Sequence, residues 1–313
     1  MKILFMGTPD FALEILKSLY GTENEIVGVV TQPDKPKGRG YKMIPPPVKV
    51  FAENNGIPVF QPQTLKDGAF LETLEELSPD MIIVAAYGKI LPEYILNFPE
   101  FGCICAHASL LPKYRGAAPI QRAIIDGEGQ TGVTAMYMDA GIDTGDMIFS
   151  EKVDILPDDD FEAVHDKLAA AGSKVILKTV EVASEGALPR EKQDDSMATY
   201  AEKITREDRV IDFEKSAAEV CNRIRGLCPF PKAYAYLPDG HILQITKAVV
   251  TGEKGSVPGE VISSDCEGFT VACGEGSVKV LRVVPEGKGA MGAADFMRGR
   301  RISVGDVLKG ESK

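Results

Sequence analysis

A histidine and an aspartate stand out as the residues whose positions could support chemistry. His107 follows an apolar run over residues 102–106 that is typical of a buried strand, and Asp143 lies between two further strand-like runs. A carboxylate beside an imidazole fixes the tautomer of the ring and stabilises its charged form, so the pair can donate a proton or stabilise an oxyanion. Open α/β sheets bind ligands at the carboxyl ends of their strands. We therefore expect a site at His107 and Asp143, with a purely structural hydrogen bond as the alternative.

Two side chains close to His107 could act as nucleophiles. Ser109 lacks the Gly-x-Ser-x-Gly turn that exposes the serine of an α/β hydrolase, which argues against that role. Cys105 precedes His107 by two residues, so in an extended strand both side chains face the same side. A cysteine nucleophile therefore stays open at this point.

Length, composition and cysteine usage limit the class of protein. The 313 residues suggest about two domains, and 44% hydrophobic with 26% charged residues is ordinary for a globular protein. No apolar run approaches the roughly 20 residues that span a bilayer, and the first residues lack the pattern of a signal peptide. Six cysteines without a C-x-x-C pair and three histidines give no zinc-ligand spacing. We expect a cytoplasmic protein with free thiols, no metal and no membrane segment.

The charge of the chain is uneven. The net charge of −11 is carried by residues 1–205, whereas residues 206–313 are close to neutral. Within the acidic part, residues 32–42 form a basic stretch whose proline and glycine content excludes a helix. Lysine and arginine on such a loop can neutralise phosphates. The stretch therefore predicts an anionic partner, with a solvated loop as the alternative.

Apolar periodicity predicts an α/β first domain. A strand at 2–7, a helix at 11–19 and a strand at 26–31 form a β-α-β unit, which implies a parallel sheet. A single glycine after the first strand argues against a dinucleotide-binding fingerprint. The other strands predicted for this domain are 59–61, 81–86, 133–138 and 147–153, and the other helices are 48–54, 69–77, 119–125 and 161–184.

Short alternating strands predict a different second domain. They lie at 233–237, 242–250, 259–263, 269–272 and 278–284, with helices at 216–224 and 294–299. Five short strands with glycine-rich turns indicate a small OB-like β-barrel. The predicted organisation is a Rossmann-like parallel-sheet domain over 1–185, a linker over 186–205 and an OB-like domain over 206–313.

Several motifs are similar to those of one enzyme family. Segments 107–120 (HASLLPKYRGAAPI) and 141–147 (GIDTGDM) closely resemble the signature of the methionyl-tRNA formyltransferases, a branch of the folate-dependent formyltransferases. The resemblance continues in segments 7–12 (GTPDFA), 32–40 (QPDKPKGRG), 86–92 (AYGKILP), 225–227 (RGL) and 229–234 (PFPKAY). The His-x-Ser-Leu-Leu-Pro motif marks the broader group, and the basic loop with the C-terminal module narrows it to the tRNA branch.

The resemblance implies an activity, a co-substrate and catalytic residues. The reaction is transfer of the formyl group of 10-formyltetrahydrofolate to the α-amine of methionine on initiator tRNA, without a metal. Protonated His107 would stabilise the oxyanion, and Asp143 would help relay the amine proton through water. Cys105 enters the catalytic set because it occupies a family site position. The residues expected to bind folate are Ser109, Leu110, Leu111, Pro112, Ile90, Leu91, Gly141 and Ile142.

The resemblance also implies contacts with initiator methionyl-tRNA. Lys35, Lys37, Arg39 and Lys42 match the inserted loop that contacts the acceptor arm in the family. We add three arginines near the C-terminus, for which a solvated helix end is the alternative: Arg298, Arg300 and Arg301. We expect the enzyme to work as a monomer.

Two residues depart from the family pattern. Cys105 stands where the family normally has asparagine, and a thiol donates a hydrogen bond more weakly than an amide. Losing such a donor to an oxyanion can cost ~2.7–4 kcal/mol of transition-state stabilisation. Phe230 stands where the family usually has tryptophan, and we expect it to keep the packing role.

Three other functions compete with this interpretation. A sugar-nucleotide N-formyltransferase would share the first domain but not the basic loop, and a formyl-folate hydrolase would share His107 and Asp143. A catalytically weakened tRNA-binding protein would follow if Cys105 meant lost activity. Formylmethionine and free formate, measured with charged initiator tRNA and the folate donor, distinguish all four.

Overall fold

The strands and helices follow the predicted alternation in the computed structural model, which describes residues 1–37, 42–253, 255, 257–299 and 301–310. The strands are β1 Lys2–Gly7, β2 Glu25–Val30, β3 Lys35–Lys37, β4 Lys42–Ile44, β5 Val59–Phe60, β6 Met81–Ala85, β7 Cys103–His107, β8 Arg115–Gly116, β9 Gln130–Tyr137, β10 Met147–Asp154, β11 Tyr200–Ala201, β12 Ala233–Tyr236, β13 Ile242–Thr251, β14 Val261–Ser264, β15 Phe269–Ala272, β16 Ser277–Pro285 and β17 Met291–Gly292. The helices are α1 Asp10–Tyr20, α2 Pro47–Asn54, α3 Phe70–Leu77, α4 Glu93–Leu96, α5 Pro119–Ile125, α6 Phe161–Glu185, α7 Ala217–Gly226 and α8 Ala293–Arg298.

The chain separates into two compact units. The first consists of residues 1–116, 130–154 and 165–200, and the second of residues 117–129, 155–164 and 201–313. Residues 186–200, which the sequence assigns to a linker, fall in the first unit. The domain limits given by the sequence stay a prediction.

A seven-stranded sheet organises the first unit. Its order is β10-β9-β7-β6-β1-β2-β5. The five strands from β7 to β5 are parallel, and numbered along the chain they run 3-2-1-4-5 from the β5 edge, which is the doubly wound order. The predicted Rossmann-like architecture is therefore confirmed.

The other edge of this sheet is antiparallel. β9 runs opposite to β7, and β10 runs opposite to β9. The sequence prediction of a parallel sheet therefore holds for five strands and not for these two. A short connection between β9 and β10 can join antiparallel neighbours, whereas parallel neighbours need a crossover of a dozen or more residues.

Apolar burial explains why the parallel strands and their helices form. All five residues of β6 are buried, as expected for a strand covered on both faces. Helix α1 buries Phe11, Ile15, Leu16 and Leu19 along one stripe of helical spacing. Each such side chain contributes roughly 1.5–3 kcal/mol when fully buried. The polar loops that follow the strands are thus attached to a closely packed support.

The second unit is rich in β-structure, as predicted. Its sheet has the order β12-β13-β16-β15-β14, and β17 pairs with β16. Helix α7 begins at a capping box in which the Ser216 hydroxyl accepts from the Glu219 amide and the Glu219 carboxylate accepts from the Ser216 amide. Phe230 is 75% exposed, so the packing role expected for it is wrong.

No helix in the described part of the chain is both long and apolar enough to cross a membrane. The short helix α4, the hairpin of β3 with β4, and strand β17 have no counterpart in the sequence prediction. These helices and strands are two to four residues long, which is too short for a periodic apolar pattern.

Candidate active site

His107 ends β7 with its ring enclosed by the protein. The residue is 6% exposed. Its Nε2 lies 2.9 Å from the Tyr114 carbonyl oxygen, and its Nδ1 lies 3.5 Å from Asp143 Oδ2. The pair expected from the sequence is therefore brought together.

The two neighbours of the ring are both hydrogen-bond acceptors. A backbone carbonyl can only accept a hydrogen bond, so Nε2 donates to Tyr114. An ionised carboxylate also only accepts, and it faces Nδ1. Both ring nitrogens thus meet acceptors, and an imidazolium with two N–H groups satisfies both contacts, whereas a neutral ring satisfies one.

The loop that carries Asp143 has to turn back along the sheet. Because β9 is antiparallel to β7, its last residue Tyr137 lies opposite Ile104, three residues before His107. The pairing continues at Met138, whose N–H donates to the Cys103 carbonyl. Residues 139–145 must therefore fold back along β7 for the Asp143 carboxylate to reach His107.

Local hydrogen bonds and a glycine stabilise this turn. The Asp139 carboxylate accepts from the Gly141 amide at 3.0 Å and from the Thr144 hydroxyl at 2.7 Å. A Cβ at Gly145 would lie 1.8 Å from the Tyr137 carbonyl oxygen, so only glycine fits there. Asp143 itself has φ +54°, a left-handed conformation that most side chains avoid.

The Asp143 carboxylate is tied to the loop after β7 as well as to the ring. Its Oδ2 accepts from the Gly116 amide at 2.8 Å. Its side chain keeps 19% exposure, so it is not sealed from solvent. The carboxylate can therefore contact His107 and solvent at the same time.

Cys105 precedes His107 by two residues on β7 and is partly buried. Desolvation by burial and the negative charge of Asp143 raise the pKa of the Cys105 thiol well above its usual range. A nucleophilic cysteine needs the thiolate. The raised pKa of the thiol therefore argues against the cysteine nucleophile that the sequence left open.

The predicted folate segment is a buried, hydrogen-bonded turn. Ser109 is fully buried and its hydroxyl donates to the Lys113 carbonyl at 2.6 Å. The Thr134 hydroxyl donates to the Ser109 carbonyl at 2.8 Å and accepts from the Leu111 amide at 3.2 Å. Pro112 follows Leu111 through a cis peptide bond. Ser109 therefore serves the turn itself.

The other residues predicted to bind folate fall into buried and exposed sets. Leu91 and Leu111 are buried, whereas Ile90 is 75% and Ile142 65% exposed. Large aliphatic side chains this exposed can cover a flat apolar ligand. Leu110 is partly buried and packs against Gly132, and Gly141 is exposed in the Asp139 turn.

The basic stretch forms a hairpin of β3 with β4. Lys35 is exposed and its ammonium donates to the Gln32 side-chain oxygen. Asp34, the acid of this stretch, is paired with Lys49 at 2.9 Å, and its pKa is lowered by hydrogen bonds from Gln61 and Lys49. The charge of Asp34 is therefore paired with that of Lys49. Arg39 lies outside the described residues, as do the side chains of Lys37 and Lys42.

The arginines predicted near the C-terminus belong to the second unit. Arg298 is exposed and forms an ion pair with Asp295, one turn earlier in α8. A surface ion pair of this kind is worth little, so the phosphate contact of Arg298 stays a prediction. Arg301 is exposed, and Arg300 lies outside the described residues.

Four residues at the site were missed as participants by the sequence reasoning. Tyr114 and Gly116 contribute backbone groups to His107 and Asp143, and their only sequence signal was membership of the loop after β7. Thr134 holds the Ser109 turn from the paired strand β9. Gln193 contacts the Asp143 loop from a polar segment without a recognisable motif. Among the described residues, no group of three His, Cys, Asp or Glu side chains could hold a metal ion.

Nearly the whole chain is similar to known proteins. Residues 1–180 match the formyl transferase family model, and residues 203–301 match the model of the formyl transferase C-terminal domain. The methionyl-tRNA formyltransferase of Caldanaerobacter subterraneus is 49% identical over 311 residues, covering 99% of this chain and 100% of the relative. That of Geotalea uraniireducens is 44% identical over 308 residues, covering 98% of both chains.

Solved structures add a likeness of fold. The N-formyltransferase from Helicobacter canadensis, solved with folinic acid and dTDP-3-aminofucose, has a TM-score of 0.69 and 19% identity. The match covers 91% of this chain and 100% of that one. At this identity the likeness concerns the architecture alone.

The raised pKa of Cys105 gives a labelling prediction. At pH 8 we expect iodoacetamide to modify exposed Cys266 at least about 10-fold faster than Cys105, because the thiolate is the reactive form. Peptide mass spectrometry over time measures both rates. Asp143→Asn removes one cause of the shift and should speed labelling of Cys105. Equal rates at the two cysteines in the unmodified chain would contradict this account of the thiol.

Proposed function

Since the chain belongs to the methionyl-tRNA formyltransferases, we propose that it transfers the formyl group of 10-formyltetrahydrofolate to the α-amine of methionyl initiator tRNA with His107 and Asp143 at the reacting carbon. The observation that carries the proposal is the buried His107 ring, whose two nitrogens face the Tyr114 carbonyl and the Asp143 carboxylate. The ring is thereby held in one orientation at the end of a strand, where both of its nitrogens face oxygen acceptors.

The proposed role of His107 is electrostatic. As the amine nitrogen bonds to the formyl carbon, negative charge develops on the formyl oxygen. A fixed cation in a site with little water stabilises such an oxygen far better than solvent does. Before the reaction, the negative charge of the Asp143 carboxylate balances the positive charge of the imidazolium. The ring therefore needs no negative charge from the substrate until the formyl oxygen becomes negative.

The proposed role of Asp143 is to hold the ring and take part in proton relay. The attacking amine becomes positively charged when its bond to carbon forms, and it must lose a proton, which passes through water to the folate nitrogen as that nitrogen takes the electron pair of the breaking C–N bond and leaves. The partly exposed Asp143 carboxylate can accept that proton through water. Because Oδ2 is engaged by Gly116 and His107, we assign the relay to the second oxygen, Oδ1.

The proposed folate site is the Ser109–Pro112 turn with the exposed isoleucines beside it. The hydrogen bonds of Thr134 fix the backbone of the turn. Ile90 and Ile142 offer apolar surface for a pterin ring, and fixed backbone groups can provide its polar contacts. The Ser109 hydroxyl already donates to the Lys113 carbonyl, so it supports the turn rather than attacking the donor.

The proposed tRNA contact of the first unit is the basic hairpin. Exposed Lys35 leads into a stretch that continues with Lys37, Arg39 and Lys42, and Asp34 is engaged by Lys49. Basic side chains in such a stretch suit a phosphate backbone, which is bound without reading sequence. The relatives 44–49% identical over nearly the whole chain favour the tRNA branch over a sugar-nucleotide acceptor or a hydrolase. The monomeric state stays a prediction.

Removal of the imidazole is the first test. His107→Ala should lower kcat by about 10²–10⁴-fold, because both the oxyanion partner and the ion pair with Asp143 are removed. Formylmethionyl-tRNA and free formate are measured together with 10-formyltetrahydrofolate and charged initiator tRNA. The matched control is His165→Ala on helix α6, which should keep wild-type activity.

The same experiment addresses the competing functions. Affinity of His107→Ala for tRNA, measured by filter binding, should stay within about twofold of the wild type. If the wild type released formate without formylmethionine, the hydrolase would replace our proposal. Most of the activity surviving in His107→Ala would refute the role of the ring.

The cysteine at the asparagine position gives the second test. Cys105→Asn should raise kcat by up to about 10²-fold, because an amide adds a strong donor for the formyl oxygen. Cys105→Ala, which has no donor, should remain near the wild type and serves as the control. A large fall of kcat in Cys105→Asn would show that the thiol has a positive role.

The third test concerns the basic hairpin. The double variant Lys37→Ala, Arg39→Ala should raise the KM for tRNA and leave the KM for the folate donor unchanged. The slope of log affinity against log salt should fall by roughly 0.7–0.9 for each phosphate that is no longer neutralised. Lys17→Ala with Lys66→Ala removes the same charge elsewhere on the first unit. An equal effect of that pair would show that net charge, not the hairpin, matters.

A further inference from the structure

Residues 190–199 contact both loops that hold His107, although the sequence assigns them to a linker. The Arg190 guanidinium stacks on the Tyr137 ring at 3.5 Å from its centroid, and lies 3.7 Å from the Asp146 carboxylate. Glu191 and Met147 exchange two backbone hydrogen bonds of 2.8 and 2.9 Å. The segment is thus attached at the base of the Asp143 loop.

Gln193 connects this segment to the Asp143 loop by its side-chain amide. Nε2 donates to the Asp143 carbonyl at 2.9 Å and to the Gly145 carbonyl at 2.8 Å. Oε1 accepts from Arg115 Nε at 2.9 Å. The two ends of the amide cannot be exchanged, because carbonyls only accept and a guanidinium only donates. One side chain therefore joins the loop of Asp143 to the loop after β7.

The same segment holds the other loop through Thr199. Its hydroxyl accepts from the Tyr114 amide at 2.9 Å, and its carbonyl accepts from the Arg115 amide at 2.9 Å. The buried guanidinium of Arg115 donates to Asp195 at 2.7 Å. Tyr114, whose carbonyl binds His107, is thereby fixed from residues 195 and 199.

Both partners of His107 adopt backbone conformations that need support. Tyr114 has φ +59° and Asp143 has φ +54°. Non-glycine residues in this region are strained and persist only where the surroundings determine their conformation. The contacts of Gln193 and Thr199 are made at or beside these two residues.

We infer that Gln193 and Thr199 are positioning residues that set the distance between the His107 ring and its two acceptors. The inference rests on the proposed function of His107 and Asp143. Neither residue touches the reacting atoms; each acts through the loop that it holds. A displacement of about 1 Å in such a site can cost about 10²-fold in rate.

The experiment compares two replacements of Gln193 with a matched control. Gln193→Met keeps the length of the side chain and loses every hydrogen bond, whereas Gln193→Glu keeps an acceptor for Arg115 and loses the two N–H donors. Both should lower kcat by about 10- to 100-fold and leave the KM for either substrate within about twofold. Gln130→Met, which breaks a bond of 3.0 Å to Asp154, is the control and should keep its kcat.

Two replacements of Thr199 form a second comparison, in which one variant removes the hydroxyl and the other keeps it. Thr199→Val leaves the Tyr114 amide without its acceptor and should lower kcat several-fold, whereas Thr199→Ser keeps the hydroxyl and should restore it. Thermal melting reports the folded fraction of every variant. Full kcat in Gln193→Met would overturn the positioning role of Gln193, and full kcat in Thr199→Val would overturn that of Thr199. Full kcat in Gln193→Glu beside impaired Gln193→Met would show that Gln193 acts through Arg115 and not through the Asp143 loop, which would also overturn its proposed role.

A double-mutant cycle distinguishes positioning from general loss of structure. If Gln193 acts through Asp143, Gln193→Met should cost less than about twofold when Asp143→Asn is already present. An unchanged loss in that background would contradict the inference. Full activity of Asp143→Asn by itself would refute the proposed function, whereas impaired Asp143→Asn beside active Gln193→Met would refute only the positioning role.

Discussion

The geometry of the site depends on the buried ring of His107 being held between two oxygen acceptors. The Tyr114 carbonyl and the Asp143 carboxylate lie on opposite nitrogens of a residue that is 6% exposed. Few water molecules can replace a lost partner in such a place, so an unpaired N–H would carry the full cost of desolvation. Rotation of the ring is therefore opposed from both sides. The strand supplies the position of the residue, and the two loops supply the orientation of its charge.

The direction of β9 in the sheet requires the Asp143 loop to reverse its course. β9 leaves β7 at the end opposite His107, so the Asp143 loop must return along the face of the sheet. The return is made by the Asp139 turn, by Gly145 against the Tyr137 carbonyl, and by a left-handed residue at Asp143 itself. None of these features would be needed in a sheet that was parallel throughout. The antiparallel direction of β9 and the hydrogen-bonded Asp143 loop are therefore linked, because that direction is what requires the loop to return to His107.

The sequence predicted what local patterns determine and missed what tertiary contacts determine. The buried strand β6 and helix α1 follow from apolar runs and periodicity, and the polar ends of the strands pointed to His107 and Asp143. The direction of β9 could not be read, because an apolar strand has the same pattern in either direction. Gln193 has no motif, since its role comes from three partners that are 48 to 78 residues away along the chain. Exposed Phe230 shows the converse, where a family pattern suggested packing that the fold does not provide.

Cys105 makes the proposed reaction more dependent on the orientation of the His107 ring. The resemblance to the family implies asparagine at this position, and in the proposed mechanism an amide would share the stabilisation of the formyl oxygen with the ring. The thiol remains protonated, because desolvation and Asp143 raise its pKa, and a protonated thiol is a weak donor. In the proposed mechanism, more of the developing charge then has to be stabilised by His107, and an electrostatic effect depends on distance more strongly in a site with little water. A chain with this cysteine should therefore depend more on the loops that fix the ring than a relative with asparagine does.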